Sequence, residues 1–272
     1  MKKRVGIVGY GYVGKAIAAF FGDKFDVAVY DPALGYADRE AVAGADLAVI
    51  CVPTPMKEDG SVDASAVEET LMWLRTPSIV IKSTVPPGTT ARLAERFMLH
   101  DRLAFSPEYI GEGGYPVPHW EGIPHPTDMK LHTFHIFGGA PEATSKAIPY
   151  FQRVAGPFAT YHATDSTTAE LTKYVENTWI ATKVAYCNDI YDVAKTFGVD
   201  YNALRELWLL DGRVGPSHTL VYPNKRGFDG KCIPKDTFGL YRAAQTAGYE
   251  SNLLRGVLEQ NQAWQQQNQK NE

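Results

Sequence analysis

Three groups of polar residues have the types and spacing to act on an alcohol or a carbonyl group. Cys232 and Asp236 lie in GFDGKCIPKD, a short stretch broken by glycine and proline. Lys173 and Asn177 are four positions apart, so they project from the same face of a helix. Glu108 and Glu112 lie in SPEYIGEG. Taken singly, each has an ordinary structural explanation, because most lysines and glutamates are exposed and a lone cysteine is usually a core residue.

Together these residue types suit an oxidation that carries an alcohol past the aldehyde stage. A cysteine adds to the aldehyde, the thiohemiacetal gives up a second hydride, and water cleaves the resulting thioester. In such a reaction Lys173 and Asn177 would stabilise the developing oxyanion. Asp236 would act with a water molecule as a general base. This chemistry requires a hydride acceptor, and the beginning of the chain offers a place for one.

The segment GYGYVG has the spacing of a dinucleotide-binding turn. It follows an apolar run directly and precedes a helical pattern, the context in which G-x-G-x-x-G is informative. Gly9 permits the tight turn, Gly11 lets the main chain approach a pyrophosphate, and Gly14 allows the helix to pack closely on the strand. Asp31 ends the next apolar run and would accept hydrogen bonds from ribose hydroxyls. Its carboxylate would repel a 2′-phosphate, so we expect NAD as the cofactor.

Two further segments fall at the predicted carboxyl ends of strands, where open α/β sheets bind ligands. One is CVPTP, which includes Val52 and Pro53, and the other is KSTVPPG. The Val-Pro-Pro-Gly part is also ordinary turn chemistry. Thr84 has a hydroxyl that is free to face the crevice.

The elements that must position these residues alternate in the first half of the chain. Apolar runs rich in β-branched residues predict strands at Arg4–Val8, Val27–Tyr30, Leu47–Cys51, Ser78–Lys82, Leu103–Phe105 and Thr133–Phe137. Helical patterns lie between them at 13–21, 38–44, 63–75, 89–98 and 141–154. This alternation predicts a Rossmann-like, doubly wound parallel sheet in an α/β domain of residues 1–163. Residues 106–131 interrupt the rhythm and are predicted to be a long loop.

The second half is predicted to be an all-helical central domain, residues 164–272, built on one long helix at 164–198. A helix of that length must bury its apolar face, and a second subunit would cover it. Further helices are predicted at 201–210, 236–247 and 249–265. The catalytic cysteine loop lies between the first two of these. The polar end, NQAWQQQNQKNE, is predicted to be frayed.

Composition excludes several classes of function. The 272 residues carry a net charge of −4 without a basic stripe, so nucleic acid is not expected as a partner. No apolar run approaches the roughly 18 residues that a membrane span needs. Three scattered cysteines favour a reducing, cytoplasmic location. Four histidines between 119 and 135 lack carboxylates or cysteines at ligand spacing, so no metal is predicted.

The motifs GYGYVG, STVPPGTT, SPEYIGEG, AELTKYVEN, DGRVG and GFDGKCIPKD occur in the order typical of one family. In them the chain resembles the UDP-glucose/GDP-mannose dehydrogenases, and most closely their UDP-glucose-oxidising branch. The resemblance runs from residue 4 to about 262. It implies an NAD-dependent oxidoreductase that makes nucleotide-linked uronic acids for polysaccharide biosynthesis. It also implies a homodimer formed through helix 164–198.

The resemblance assigns a role to each candidate residue. Cys232 would form the thioester, Asp236 would assist with base chemistry, and Lys173 and Asn177 would hold the oxyanion and a catalytic water. The residues that also order this water would be Glu108 and Thr84. The implied cofactor contacts are Gly9, Gly11, Tyr12, Val13, Gly14, Asp31, Val52, Pro53, Thr84, Glu112 and Lys235. The implied substrate contacts are Glu108, Tyr109, Lys173, Asn177, Arg213 and Gly230, of which Arg213 would reach the sugar nucleotide of the neighbouring subunit.

The chain departs from the family pattern in two ways. Asp229 stands where a glycine is usual, and Lys231 stands where a small or aromatic residue is usual. Full-length members also carry a third domain that holds the UDP group, and this chain stops where that domain would begin. We therefore expect a truncated form, a naturally short form, or one half of a split enzyme that uses a separate UDP-binding domain.

Two other functions stay open at this point. A two-electron, 3-hydroxyacid-type dehydrogenase also pairs a dinucleotide domain with a Lys-x-x-x-Asn helix, but it has no use for Cys232. The chain could also be a non-catalytic NAD-binding dimer that lacks its substrate domain. Replacement of Cys232 and a count of the NADH formed would separate these alternatives.

Overall fold

The computed structural model describes residues 2–110 and 128–271. It contains two compact units, one of residues 1–57 and 62–173, and the other of residues 58–61 and 174–272. None of the described helices combines the length and the apolar character that a membrane span requires.

A single sheet organises the first unit. Its described strands are β1 (Arg4–Val8), β2 (Asp26–Tyr30), β3 (Leu47–Ile50), β4 (Ile79–Ile81), β5 (Leu103–Phe105), β6 (Phe134–Gly138) and β7 (Thr160–Thr164). They lie in the order β2-β1-β3-β4-β5-β6-β7. All neighbours are parallel except β5 and β6, which are antiparallel and joined through the single pair Phe105 and Gly138. The predicted mainly parallel sheet is confirmed. The reversal at β6 and the seventh strand are additions to the prediction.

Helices connect these strands and make up most of the second unit. The described helices are α1 (Tyr12–Gly22), α2 (Arg39–Ala43), α3 (Ser65–Leu71), α4 (Thr89–Arg96), α5 (Pro141–Ala155), α6 (Ser166–Thr196), α7 (Tyr201–Trp208), α8 (Ile233–Thr246) and α9 (Asn252–Asn271). The 31-residue α6 confirms the predicted long helix. The prediction of a frayed polar end was wrong, because α9 continues through that segment to Asn271.

Both faces of the sheet are covered, which explains why its central strands are apolar throughout. In β3, Ala48 and Ile50 belong to one core cluster, whereas Leu47 and Val49 belong to the other. Successive side chains of a strand point to opposite faces, so a strand between two helical layers needs apolar residues at every position.

The first residues of α6 hold the loop that precedes α4. Glu170 has no exposed surface, and its carboxylate accepts hydrogen bonds from the main-chain N–H groups of Gly88 and Thr90 at 2.5 and 2.8 Å. Gly88 precedes α4 and Thr90 lies in its first turn, where main-chain N–H groups have no acceptor within the helix. Burial raises the pKa of Glu170 to about 7, although its hydrogen bonds with Thr90 and Gly88 oppose the shift. Glu170 thereby fixes the end of the loop that contains Thr84.

The second unit has a small core in which a loop residue takes part. Phe228, four positions before Cys232, is buried with Ala181 and Ala185 of α6 and with Val257 and Trp264 of α9. The segment that leads to the cysteine is therefore an integral part of this unit.

Candidate active site

The glycine-rich turn between β1 and α1 has the shape that a dinucleotide requires. Gly9 adopts a φ of +86°, and a Cβ there would lie 2.6 Å from the carbonyl oxygen of Cys51. A Cβ on Gly14 would lie 2.0 Å from the carbonyl oxygen of Gly9. A Cβ on Gly11 would meet nothing within 4 Å, so the main chain there is open to a ligand. Gly11 is also the residue before the first turn of α1, whose N–H groups favour phosphate.

Asp31 lies at the end of β2, next to this turn. One of its carboxylate oxygens accepts a hydrogen bond from the main-chain N–H of Tyr10 at 2.7 Å, and its main chain pairs with Tyr36. The side chain is half-buried. Tyr12 and Val13 occupy the first turn of α1, with Tyr12 exposed and Val13 half-buried. These residues suit an adenosine group that approaches from the carboxyl edge of the sheet.

The loops after β3 and β4 are tied to each other. The hydroxyl of Thr54 donates to the carbonyl oxygen of Thr84 at 2.8 Å, and the hydroxyl of Ser83 donates to the carbonyl oxygen of Val52 at 2.7 Å. Pro53 is exposed, whereas Val52 and Thr84 are half-buried. The two predicted ligand-binding loops therefore form one hydrogen-bonded edge.

A buried lysine at this edge was missed by the sequence analysis. Lys82 follows β4, is 2% exposed, and donates to the hydroxyl of Ser106 at 2.9 Å and to the carbonyl oxygen of Pro107 at 3.0 Å. Burial lowers the pKa of Lys82 to about 8, while the charge of Glu108 opposes the shift. The available signal was the charged residue that ends the apolar run IVIK. Lys82 fixes the main chain from which the next two candidates project.

Glu108 and Tyr109 lie beside Lys173 in the first unit. The Lys173 ammonium group is 3.7 Å from a Glu108 carboxylate oxygen and 5.3 Å from the centre of the Tyr109 ring. The other Glu108 oxygen accepts the main-chain N–H of Ile110 at 2.8 Å. The side chains of Lys173 and Glu108 are only 9% and 11% exposed. These three predicted residues therefore form one cluster of opposite charges beside an aromatic ring.

The second unit brings together the other predicted residues. Cys232 is the residue before the first turn of α8, and its carbonyl oxygen accepts the main-chain N–H of Asp236 at 2.8 Å. The Asp236 carboxylate is 1% exposed and accepts hydrogen bonds from the amide of Asn177 at 2.5 Å and from the ammonium of Lys235 at 2.6 Å. A half-buried thiol thus lies one helical turn from a buried carboxylate with two polar partners. Lys173 and Asn177 both belong to α6, as predicted.

The remaining candidates lie at the surface. Arg213 is exposed and pairs with Asp211. Gly230 has a φ of +88° in the cysteine loop. The carboxylate of Asp229, one of the two departures from the family pattern, lies 3.0 Å from the ammonium of Lys225. Glu112, His119 and His125 lie outside the described residues.

No metal centre is evident in the part of the chain that the structure describes. Within residues 2–110 and 128–271, no three side chains of histidine, cysteine, aspartate or glutamate are grouped as metal ligands. His135 is buried between aromatic rings, and burial lowers its pKa to about 3.

Two domain models of one family match the chain. The model of the UDP-glucose/GDP-mannose dehydrogenase family's NAD binding domain matches residues 35–115. The model of that family's central domain matches residues 167–263. The glycine-rich turn precedes the first match, and the cysteine loop lies within the second.

Individual relatives are similar over nearly the whole chain. UDP-glucose 6-dehydrogenase of Pseudomonas aeruginosa is 29% identical over 95% of this chain and 65% of that protein. A UDP-glucose dehydrogenase structure from Pyrobaculum islandicum has a TM-score of 0.80 at 26% identity, covering 97% of this chain and 68% of that one. A UDP-D-ManNAc dehydrogenase structure from Pyrococcus horikoshii has a TM-score of 0.75 at 25% identity, covering 95% and 68%. The chain therefore spans about two thirds of the length of these relatives.

Proposed function

The chain belongs to the UDP-glucose/GDP-mannose dehydrogenase family, and we propose that it oxidises UDP-glucose to UDP-glucuronate with NAD as the cofactor. Two of the three relatives described above have UDP-glucose in their names, whereas the third has an N-acetylated sugar. This supports glucose as the sugar of the substrate. The oxidation removes four electrons from the primary alcohol and consumes one water and two NAD. The products are the carboxylate, two NADH and three protons.

One observation carries the proposal. Cys232 stands at the beginning of α8, and the buried Asp236 follows one turn later with Asn177 and Lys235 as partners. A two-electron alcohol dehydrogenase needs no thiol. An oxidation to the acid does need a nucleophile that holds the aldehyde until the second hydride leaves.

The residues of the first unit fit a bound NAD. The tight turn at Gly9, the open main chain at Gly11 and the first turn of α1 would hold the pyrophosphate, and Asp31 would bind the ribose and disfavour a 2′-phosphate. Bound NAD supplies the hydride acceptor for both oxidations. The loops after β3 and β4 would exclude water from its reactive end.

The thiol acts between the two oxidations. After the alcohol has lost one hydride and one proton, the Cys232 sulfur adds to the aldehyde carbon and the carbonyl oxygen becomes a hydroxyl. Loss of the second hydride and of the hydroxyl proton converts this thiohemiacetal into a thioester. We assign to Lys173 and Asn177 the stabilisation of negative charge on the oxygen during both steps.

Hydrolysis then frees the thiol. Asp236 would accept a proton from water as the water attacks the thioester carbon, and the carbon–sulfur bond breaks to return Cys232. By the family resemblance, Glu108 and Thr84 orient this water. The same proposal includes substrate contacts of Tyr109, Gly230 and the partner's Arg213, and a homodimer formed through α6.

The test combines NADH stoichiometry with mass spectrometry of the product. UDP-glucose, UDP-N-acetyl sugars and GDP-mannose are incubated with NAD and either the wild-type protein or a Cys232→Ser variant. We expect two NADH per uronate with UDP-glucose from the wild type. The serine variant should form no uronate, because its alkoxide leaving group is poor and its hydroxyl is a weak nucleophile.

Other results would contradict the proposal. Unchanged turnover by the serine variant with one NADH per sugar would indicate a two-electron dehydrogenase. NAD binding without any NADH formation across the panel would indicate a non-catalytic dimer.

A further inference from the structure

The main chain just before the cysteine loop is paired by side chains of α9. The Asn268 amide accepts the N–H of Arg226 at 2.9 Å and donates to the carbonyl oxygen of Arg226 at 2.9 Å. Asn261 does the same for Phe228, at 2.7 and 3.0 Å. Each asparagine therefore satisfies both polar groups of one residue, as a neighbouring strand would.

A third amide completes the set. Gln265 donates to the carbonyl oxygens of Arg226 and Phe228 at 3.3 and 3.1 Å. Positions 261, 265 and 268 are four and three residues apart, so they share one face of the helix. We call Asn261, Gln265 and Asn268 the amide face of α9.

The glycine between the paired residues permits this close approach. Gly227 has a φ of +78°, and a Cβ there would lie 2.3 Å from the side-chain oxygen of Asn261. A larger residue would displace Asn261 or the loop, and it would also adopt a strained backbone conformation.

The same segment is held from α6 by the Arg226 side chain. Its guanidinium group donates to the side-chain and main-chain oxygens of Asn188 and to both carboxylate oxygens of Asp192. The rings of Tyr191 and Trp264 lie 4.6 and 5.4 Å from it. Residues 226–228 are thus fixed on two sides, while Asp229, Gly230 and Lys231 are exposed.

We propose that the amide face of α9 positions the Cys232 thiol. It fixes the main chain at Phe228, and the start of α8 fixes it at Ile233, so the intervening residues have little freedom. The thiol is thereby presented in one place at the beginning of α8. The reactive role of Cys232 rests on the proposed function, whereas its restraint by α9 does not.

The test compares Asn261→Ala with Gln262→Ala, and Asn268→Ala with Gln269→Ala. Each control removes an exposed amide from the adjacent position of the same helix. Alkylation by iodoacetamide is followed at each cysteine by peptide mass spectrometry. Loss of one asparagine should raise the alkylation rate of Cys232 by about fivefold, as expected when paired main-chain groups lose their partner. The controls should match the wild type.

Cys187 monitors the fold in the same samples. It is 1% exposed in the second unit, so its alkylation rate reports general loosening. We expect it to stay unchanged in the asparagine variants. Should Asn261→Ala not fold, Gln265→Ala removes only donors to two carbonyl oxygens, and a rise of about twofold at Cys232 is expected from it.

A kinetic measurement separates positioning from a purely structural role. Asn261→Ala should lower kcat for uronate formation about tenfold, as expected for a displaced nucleophile, and leave the dissociation constant of NAD within about twofold. Unchanged alkylation of Cys232, or a parallel rise at Cys187, would overturn the inference. If the wild type oxidises no nucleotide sugar and the asparagine variants still show the selective rise at Cys232, the proposed function is refuted and the positioning role is supported.

Discussion

Cys51 and Cys232 have different surroundings, which affect the charge that each thiol can carry. Cys51 follows a buried strand, and burial raises its pKa to about 12, so it stays a neutral thiol near neutral pH. Cys232 instead stands at the start of a helix, where unpaired N–H groups favour negative charge. Under the proposed function, the same residue type is a neutral thiol in one unit and the nucleophile in the other.

Lys82 gives a prediction at the scale of one residue. Its pKa is lowered from 10.5 to about 8, so the folded state disfavours the charged form. Between pH 8 and 10.5 the unfolded chain binds more protons at this position, and stability must rise with pH over that range. The free energy of unfolding of the wild type should therefore increase relative to Lys82→Met, by on the order of 2 kcal/mol.

Urea denaturation of both proteins from about pH 7 to about pH 10 measures this difference. The tyrosines and cysteines that titrate in the same range are common to the two proteins, so they cancel. Parallel stability curves for wild type and Lys82→Met would show that the folded-state pKa of Lys82 is normal.

At the scale of elements, apolar runs in the sequence predicted the buried strands of the sheet better than its exposed edge strand. β1 and β5 have the predicted bounds because every inward position is apolar. β7 was missed, since its sequence TYHAT is largely polar and forms an exposed edge strand. The direction of β6 could not be predicted, because strand propensity contains no information about the direction of a neighbour.

The end of α9 and the start of α8 were both predicted incorrectly, each for its own reason. The inward face of α9 carries amides that pair with main chain, so its last turns lack the apolar periodicity of a packed helix. α8 begins at Ile233, before the predicted residue 236, because Pro234 is in its first turn. Proline is well suited to that position. Cys232 and Asp236 could thus be predicted as a pair, but not their placement on one helical start.

The hydrogen bonds from Gly88 and Thr90 to the Glu170 carboxylate connect α6 with the start of α4, and they predict the effect of Glu170→Gln. The substituted amide keeps one acceptor oxygen but turns an NH2 group towards a main-chain N–H of Gly88 or Thr90. Stability at pH 8 should fall by about 1–2 kcal/mol, because a buried donor loses its partner. In the wild type, the raised pKa of Glu170 makes stability decline as pH rises from 4.5 to about 7.

Urea denaturation at several pH values tests both parts. The glutamine variant should lack the decline between pH 4.5 and 7. Glu69→Gln is a control, since Glu69 is an exposed glutamate on α3 and the same amide replacement there disturbs no buried group. Equal stability of wild type and Glu170→Gln at every pH would contradict a capping role.

At the scale of the whole molecule, α6 leaves a row of large apolar side chains exposed. Val175, Trp179 and Tyr186 are 57%, 63% and 58% exposed. Their spacing of four and seven residues places them along one face. This face supports the proposed dimer, because contiguous exposed apolar surface typically marks an interaction site.

Trp179→Lys should weaken that dimer. A tryptophan at the centre of an interface commonly contributes 2 kcal/mol or more, so we expect the dissociation constant to rise at least about 30-fold. Analytical ultracentrifugation over a dilution series measures this constant. Met72→Lys is the matched control, because Met72 is also 63% exposed but lies outside α6. A wild type that sediments as a monomer at all concentrations would refute the dimer.

The pairing of the cysteine loop with α9 also sets an order of events during protein synthesis. The partners of Phe228 and Arg226 are translated 33 and 42 positions later. At about 5–20 residues per second, Arg226 waits roughly two to eight seconds for its partner. On a translating ribosome, Cys232 is therefore made while the segment before it still lacks its α9 partners, and that pairing forms only when α9 has emerged.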